Sequence, residues 1–252
     1  MLAARHVLGD VVREGVAIRT VEDDIYSVLP ESESKEKHLY DKQAGLYDAL
    51  VGNPLYLRVA WENRREDYTR FAQEALRSAR EGWFLDAGCG SLLFTAGMYS
   101  RNLERPAVLL DQSIEMLKRG RARLVKRNGG VPENVYLLQG DLMDLPFRDG
   151  VFTTVMSMST LHLFENGREL VANLTRQLAQ GGELYMMSLV LDGSKSDGYL
   201  RFLNSGGQVA TPRSPEEVVS LFAGQGGKLY KRLTGNMMYM KLVGREQNER
   251  SA

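Results

Sequence analysis

The chain has 252 residues, enough for one large domain or a domain with a small appendage, and its 43% hydrophobic and 25% charged content is that of a globular protein. Thirty-two Lys+Arg against 32 Asp+Glu give a formal net charge of zero, which argues against the broad basic surface of a duplex-DNA binder. One cysteine, Cys89, leaves no internal disulfide framework or Cys-based zinc cluster, and no apolar run has the length of a membrane span.

Residues 1–33 begin MLAARHVLGDVVREG, charged by turns and without a leader's apolar stretch, so a cytoplasmic protein is expected. Within VVREGVAIRTVEDDIYSVLP, β-branched residues alternate with charges around Glu14-Gly15, which predicts a short hairpin as an N-terminal extension. Residues 34–80 change to helical spacing: HLYDKQAGLYDALVG carries Leu39, Leu46, Tyr47 and Leu50 near one face. A second helical stretch follows after Gly52-Asn53-Pro54, and together they read as a helical cover.

From residue 82 short apolar runs alternate with helices. The runs are WFLDA (83–87), AVLLD (107–111), VYLLQ (135–139), FTTVMSM (152–158) and ELYMMSLV (183–190). Helical patterns fall near 92–101, 113–126, 166–179 and 214–224, the last opened by the capping signal Ser214-Pro215-Glu216-Glu217. KLYKRLT and NMMYMKLV read as two closing strands around Gly235-Asn236. Such alternation predicts an α/β fold: a doubly wound, mainly parallel seven-stranded Rossmann-like sheet with helices on both faces. The 191–213 stretch is long for a connection, carries a helical pattern around 197–204, and is placed as a lid with Arg201 and Gln208 as polar candidates.

The sharpest signal is FLDAGCGSLLFTAG (84–97), where a strand ends in Asp86 and Gly88-Cys89-Gly90-Ser91 turns into a helix. Glycine lets the backbone bend and approach a ligand closely, and a helix N-terminus offers N–H groups to an anion. Asp111 ends the next strand, where a carboxylate can accept both hydroxyls of a ribose or cap the following helix. Asp141, after the third strand, can take an adenine's exocyclic amine while the Leu142 N–H meets a ring nitrogen, or it can be a turn residue. Leu93 stands where a dinucleotide fingerprint needs its third glycine, so an adenosine without a pyrophosphate suits the turn better.

LDAGCGSLLFT, VLLDQSIEML, LLQGDLMDLPFRDGVF, MSTLHLF and LAQGGELYMMSLV together resemble the ordered motifs of class I S-adenosylmethionine-dependent methyltransferases. The resemblance covers roughly residues 36–243 and is nearest to the small-molecule branch with the ubiquinone/menaquinone-type enzymes. It implies S-adenosyl-L-methionine as cofactor and S-adenosyl-L-homocysteine as product. It also implies that Asp86, Gly88, Cys89 and Gly90 hold the methionine moiety, Asp111 the ribose, and Asp141 with Leu142 the adenine. Gln112 and Ser157 join the cofactor-binding set on the same ground. The chain departs from the family at Leu92, often a glycine, and at Thr153, usually an aspartate after the phenylalanine.

Methyl transfer from a sulfonium needs position and dryness more than acid–base help, unless the acceptor is protonated at working pH. His162, just beyond the fourth strand of the domain, is the candidate base for an oxygen acceptor, or a hydrogen-bonded structural histidine. Tyr40 and Tyr47 resemble an N-terminal helix over the cofactor and are the other catalytic candidates, or core aromatics. No metal site is expected, because no cluster has ligand spacing. The expected partner is a small-molecule acceptor rather than a nucleic acid, with a homodimer through the N-terminal element as an option. The competing readings are an NAD(P)-dependent Rossmann oxidoreductase and a non-catalytic protein that binds S-adenosylmethionine or S-adenosylhomocysteine.

Overall fold

Runs of apolar residues without alternation fit strands that are buried on both faces, and five of them form the centre of one sheet. The computed structural model describes residues 2–30, 53–78, 81–100 and 105–244; Tyr40 and Tyr47 lie outside the described residues. The strands are β1 (Arg19–Glu22), β2 (Ile25–Ser27), β3 (Trp83–Ala87), β4 (Ala107–Asp111), β5 (Val135–Gln139), β6 (Phe152–Met158), β7 (Leu178–Leu189), β8 (Lys228–Thr234) and β9 (Met237–Val243). Their order is β1-β2-β5-β4-β3-β6-β7-β9-β8, a single nine-stranded sheet. β2, β5, β4, β3, β6 and β7 are parallel, while β9 runs antiparallel to β7 and β8 to β9.

The sheet expected to have seven strands is present from β5 to β8, and the N-terminal pair widens it. That pair is not a separate extension, because β2 hydrogen-bonds to β5 with Ser27 opposite Gln139. Its turn is at Asp23-Asp24, where Asp24 takes φ 61°, rather than at Glu14-Gly15. Residues Leu2–Gly9 form helix α1, and Leu8, Val11 and Val12 are buried against the sheet. The alternation around Glu14 therefore reflects a loop, of which Val12 alone bridges, to Phe147.

The remaining helices are α2 (Pro54–Trp61), α3 (Arg65–Leu76), α4 (Ala96–Tyr99), α5 (Ile114–Asn128), α6 (Gly167–Arg176), α7 (Ser196–Ser205) and α8 (Pro215–Leu221). Helices α2, α3, α4, α5 and α7 contribute to the core on one face of the sheet, and α1, α6 and α8 to the core on the other. Along β4 and β5 successive side chains divide between these two cores: Leu109 and Leu137 on one, Leu110 and Leu138 on the other. Signals read from sequence act as expected at α8, where Ser214 Oγ accepts from Glu217 N and Glu217 reaches back to Ser214 N. Helix α4 is shorter than its pattern, because Leu92 sits at φ 58° and the turn does not settle into helix until Ala96. Helix α6 stops at Arg176, since LAQGG extends β7 back to Leu178.

Candidate active site

The carboxyl ends of β3, β4 and β5 lie side by side, which brings the three acidic positions into one region. Asp86, next to last in β3, is 2% exposed and accepts a 2.6 Å hydrogen bond from Tyr99 Oη on α4. Burial, eased by the Tyr99 bond and reinforced by Asp111, pushes its carboxyl up to about 7. Sequence reading missed Tyr99, because nothing local marks an aromatic 13 residues away as its partner.

The glycine turn is anchored on β4. Gly88 N and Cys89 N both donate to Leu110 O, at 2.8 and 3.0 Å, and Gly90 N donates to Asp111 Oδ2 at 2.8 Å. These three N–H groups are therefore engaged within the fold. Gly88 has φ 80° and Gly90 φ 56°, and Leu92 keeps the left-handed backbone that glycine would adopt more easily. Leu92 is buried at 1% and packs into the space left by Gly120 of α5, whose absent Cβ would stand 3.0 Å from Leu92 Cγ. The leucine is thus accommodated by a glycine on the neighbouring helix, and the turn's path is retained. No described atom lies within 4 Å of where a Cβ on Gly90 would stand, so the turn leaves room beside it.

Asp111 serves both roles open to it in the sequence. Oδ2 grips Gly90 N, and Oδ1 accepts Ser113 N at 2.9 Å at the approach to α5. These bonds sit at a half-buried strand end. Asp141 is built in the same way: Oδ1 accepts Met143 N at 2.8 Å, and Gln112 Nε2 lies 3.4 Å from Oδ2. Leu142 beside it is 7% exposed.

Three further expected site residues are tied into the fold. Ser157 is fully buried and donates to Ala87 O at 2.8 Å, so it braces β6 against the turn. Its hydroxyl also lies 2.5 Å from Thr160 Oγ1, and the Thr160 methyl fills the space that a Cβ on Gly88 would need. Thr160 is a second residue that sequence reading missed. Cys89 has its thiol pKa pushed well up by burial and by the carboxylates of Asp111 and Asp86, so it stays protonated and unreactive. His162 lies on a one-turn 3₁₀ helix (Leu161–Leu163), 7% exposed, with Leu189 N donating to Nδ1 at 3.4 Å. Burial and the nearby Arg213 charge lower its pKa to about 4. An imidazole so placed is neutral at pH 7 but a weak base, unlike the near-neutral titration expected of it.

Arg213 donates to the carbonyls of Leu161, Phe164 and Glu165, and its own carbonyl accepts Leu191 N at 2.8 Å. The 191–213 segment therefore leaves and rejoins the sheet at one point. Its helix α7 lies against α2, with Tyr56 Oη and Tyr199 Oη 3.1 Å apart and the Trp61 and Tyr199 rings 5.3 Å apart. Arg201 and Gln208 are both exposed on it.

Because the folded Asp86 carboxyl titrates near 7 and an unfolded one near 3.8, the fold favours its protonated form. Stability from this group is full below the unfolded value and is lost as pH rises through about 7. His162, lowered to about 4, has the opposite sign: its contribution is lost as pH falls from about 6.5 to 4. Wild type minus Asp86→Asn isolates the first effect. Denaturation midpoints should show the wild type losing a few kcal/mol relative to that variant between about pH 5 and pH 8. A constant difference across that range would mean that Asp86 is ionised throughout.

A methyltransferase-domain family model matches residues 85–186. Across these residues the chain carries a methyltransferase domain of the class I S-adenosylmethionine-dependent kind. Over 187 residues it is 31% identical to a ubiquinone/menaquinone biosynthesis C-methyltransferase of Stutzerimonas stutzeri, covering 69% of this chain and 65% of that one. It is 29% identical over 135 residues to an uncharacterized chloroplastic methyltransferase of Arabidopsis thaliana, covering 53% of this chain and 38% of that one. A tRNA U34 carboxymethyltransferase of Shewanella baltica is 36% identical over 112 residues, 44% of this chain and 33% of that protein. The chain spans about a third of the length of the first curated relatives it matches. The fold is also that of geranyl diphosphate C-methyltransferase from Streptomyces coelicolor, solved with geranyl diphosphate and S-adenosyl-L-homocysteine. That likeness has a TM-score of 0.56 at 14% identity, covering 71% of this chain and 78% of that one. The matched stretch holds Asp86, Gly88, Cys89, Gly90, Asp111, Gln112, Asp141, Leu142, Ser157 and His162. No helix among the described residues is long and apolar enough to cross a membrane.

Proposed function

We propose that the protein transfers a methyl group from S-adenosylmethionine to a small organic acceptor. The observation that carries this is the linkage of the glycine turn, the end of β4 and the end of β5 through Gly90, Asp111, Gln112 and Asp141. A nucleoside laid over these strand ends meets a diol acceptor at Asp111 and an amine acceptor at Asp141, with no pyrophosphate cradle between them. When bound, the cofactor supplies an electrophilic methyl on a sulfonium. The chain's part is to hold that methyl in line with the acceptor and to keep water out. The 191–213 segment with α7 closes the acceptor side, and the half-buried Tyr56 and Tyr199 are placed to line it. We assign His162 to holding the turn after β6 rather than to proton transfer, since its Nδ1 already accepts Leu189 N.

A small acceptor is favoured over tRNA by the state of α5, the most basic helix. Lys118 pairs with Glu115 and Glu22 at 3.0 and 3.4 Å, and Arg121 pairs with Asp24 at 3.3 Å. Arg123 donates to Ser91 O at 2.5 Å. Much of this helix's charge is thus engaged within the fold and not presented to phosphates.

Calorimetric titration with S-adenosylmethionine, S-adenosylhomocysteine and NADH tests the cofactor assignment. Micromolar binding of the first two and none of NADH is expected. NADH bound in their place would overturn it. Tight cofactor binding with no turnover on quinone, phenol, amine, thiol and tRNA acceptors would favour the non-catalytic binder.

A further inference from the structure

The N-terminal hairpin is built into the nucleoside end of the proposed cofactor site, and one buried residue makes the connection, its backbone to the hairpin and its side chain to the Gln112 loop. Gln139, the last residue of β5, is 1% exposed. It stands opposite Asp111 of β4 on one side and opposite Ser27 of β2 on the other. Its carbonyl accepts Val28 N at 3.1 Å, and its side-chain Nε2 donates to Gln112 O at 3.1 Å. Gln112 in turn reaches Asp141 Oδ2, and Gly140 N donates to Asp111 O at 3.1 Å. Close packing seals the junction: a Cβ on Gly140 would stand 3.0 Å from Leu110 Cδ1 and 3.4 Å from Val28 Cγ2. At the other end of the hairpin, Glu22 and Asp24 hold Lys118 and Arg121 of α5, the helix that starts just after Gln112.

We infer that Gln139 is a positioning residue for the adenosine half of the cofactor, locking the Asp111–Gln112 loop to the Asp141 loop with the N-terminal hairpin as its backstop. A buried primary amide suits this task. Its N–H satisfies the Gln112 carbonyl just past the end of β4, and its stem fixes the spacing between two loops that must grip one nucleoside. The inference rests on the cofactor reading above and adds to it the part played by Gln139 and by the hairpin.

The test is calorimetric binding of S-adenosylhomocysteine to wild type, Gln139→Leu and Gln139→Glu, at about pH 5.5 and pH 8, with a thermal melt of each. Gln139→Leu keeps the bulk and removes the donor, and a loss of roughly fivefold to tenfold in affinity is expected at both pH values. Gln139→Glu should bind poorly at the higher pH, where a carboxylate faces the Gln112 carbonyl. It should recover toward wild type at the lower pH, where the neutral acid donates a hydrogen bond. A merely structural role would lower the melting temperature without that pH-dependent recovery, so the Gln139→Glu ratio to wild type decides even if Gln139→Leu fails to fold. Wild-type affinity in both variants at both pH values overturns the inference. If the wild type itself does not bind S-adenosylhomocysteine, the cofactor reading fails instead.

Discussion

Gly88→Ala is expected to cost roughly 2–4 kcal/mol of stability and to abolish measurable cofactor binding, because two penalties fall on one position. At φ 80° the backbone is left-handed, which costs an L-residue about 1–2 kcal/mol. The new Cβ would also stand 2.4 Å from Thr160 Cγ2 and 3.4 Å from Leu142 Cδ1. Thr160 cannot turn aside freely, since its hydroxyl lies 2.5 Å from Ser157 Oγ, which is itself tied to Ala87 O. Relief of the clash therefore requires the turn to move off β6, taking Cys89 and Gly90 with it. Two companions separate the penalties. Gly90→Ala at φ 56° meets no described atom within 4 Å and should show the backbone strain alone. The double variant Gly88→Ala/Thr160→Ser removes the opposing methyl and should return the clash component, leaving a loss close to that of Gly90→Ala. Denaturation midpoints of the three variants supply the measurement. A Gly88→Ala variant within about 0.5 kcal/mol of wild type would show that the turn has slack and does not bear on Thr160.

What the sequence reveals and what it hides divide along physical lines in this chain. β3, β4 and β6 fall where their apolar runs put them, because a strand buried on both faces needs an unbroken run and little else. Positions at the ends of those strands are legible for the same reason: Asp86, Asp111 and Asp141 follow from chain order once the sheet is parallel. The contacts that set their behaviour are not legible. Tyr99 meets Asp86, Thr160 caps Gly88 and Gln139 reaches Gln112 only after distant segments pack, and no local pattern encodes those pairings. Leu92 is the clearest instance. By itself it reads as the loss of a family glycine, yet Gly120 on α5 gives it room and the backbone holds φ 58°. The misplaced hairpin turn has a related cause. Alternation around Glu14 imitates a strand, but Asp24 takes the left-handed conformation that a tight turn needs, and its carboxylate then pairs with Arg121. His162 shows the limit on the chemical side: residue type suggests a base, and burial among β7 backbone and Arg213 makes it a poor one.

Asp111→Ala should weaken S-adenosylhomocysteine binding about a hundredfold, more than the loss of one ligand hydrogen bond would explain. The carboxylate has two duties, and the variant removes both. It supplies the proposed acceptor for the ribose hydroxyls, and it holds Gly90 N at 2.8 Å and Ser113 N at 2.9 Å. Each of those N–H groups loses a charge-assisted bond, so a stability loss of about 1–3 kcal/mol accompanies the loss of affinity. Affinity alone cannot tell the duties apart, but a cycle with an altered ligand can. Wild type should discriminate against the 2′,3′-dideoxy form of S-adenosylhomocysteine by about tenfold or more, while Asp111→Ala should bind both forms equally weakly. The coupling between carboxylate and diol is then read directly, free of any change in the turn. Equal discrimination in wild type and variant would show that the carboxylate acts through Gly90 and Ser113 alone, and the ribose contact would have to be sought elsewhere. Asp111→Asn refines the result, because its remaining carbonyl oxygen can keep Gly90 N or Ser113 N but not both. Recovery of stability without recovery of diol discrimination would assign the turn to one oxygen and the ribose to the charge.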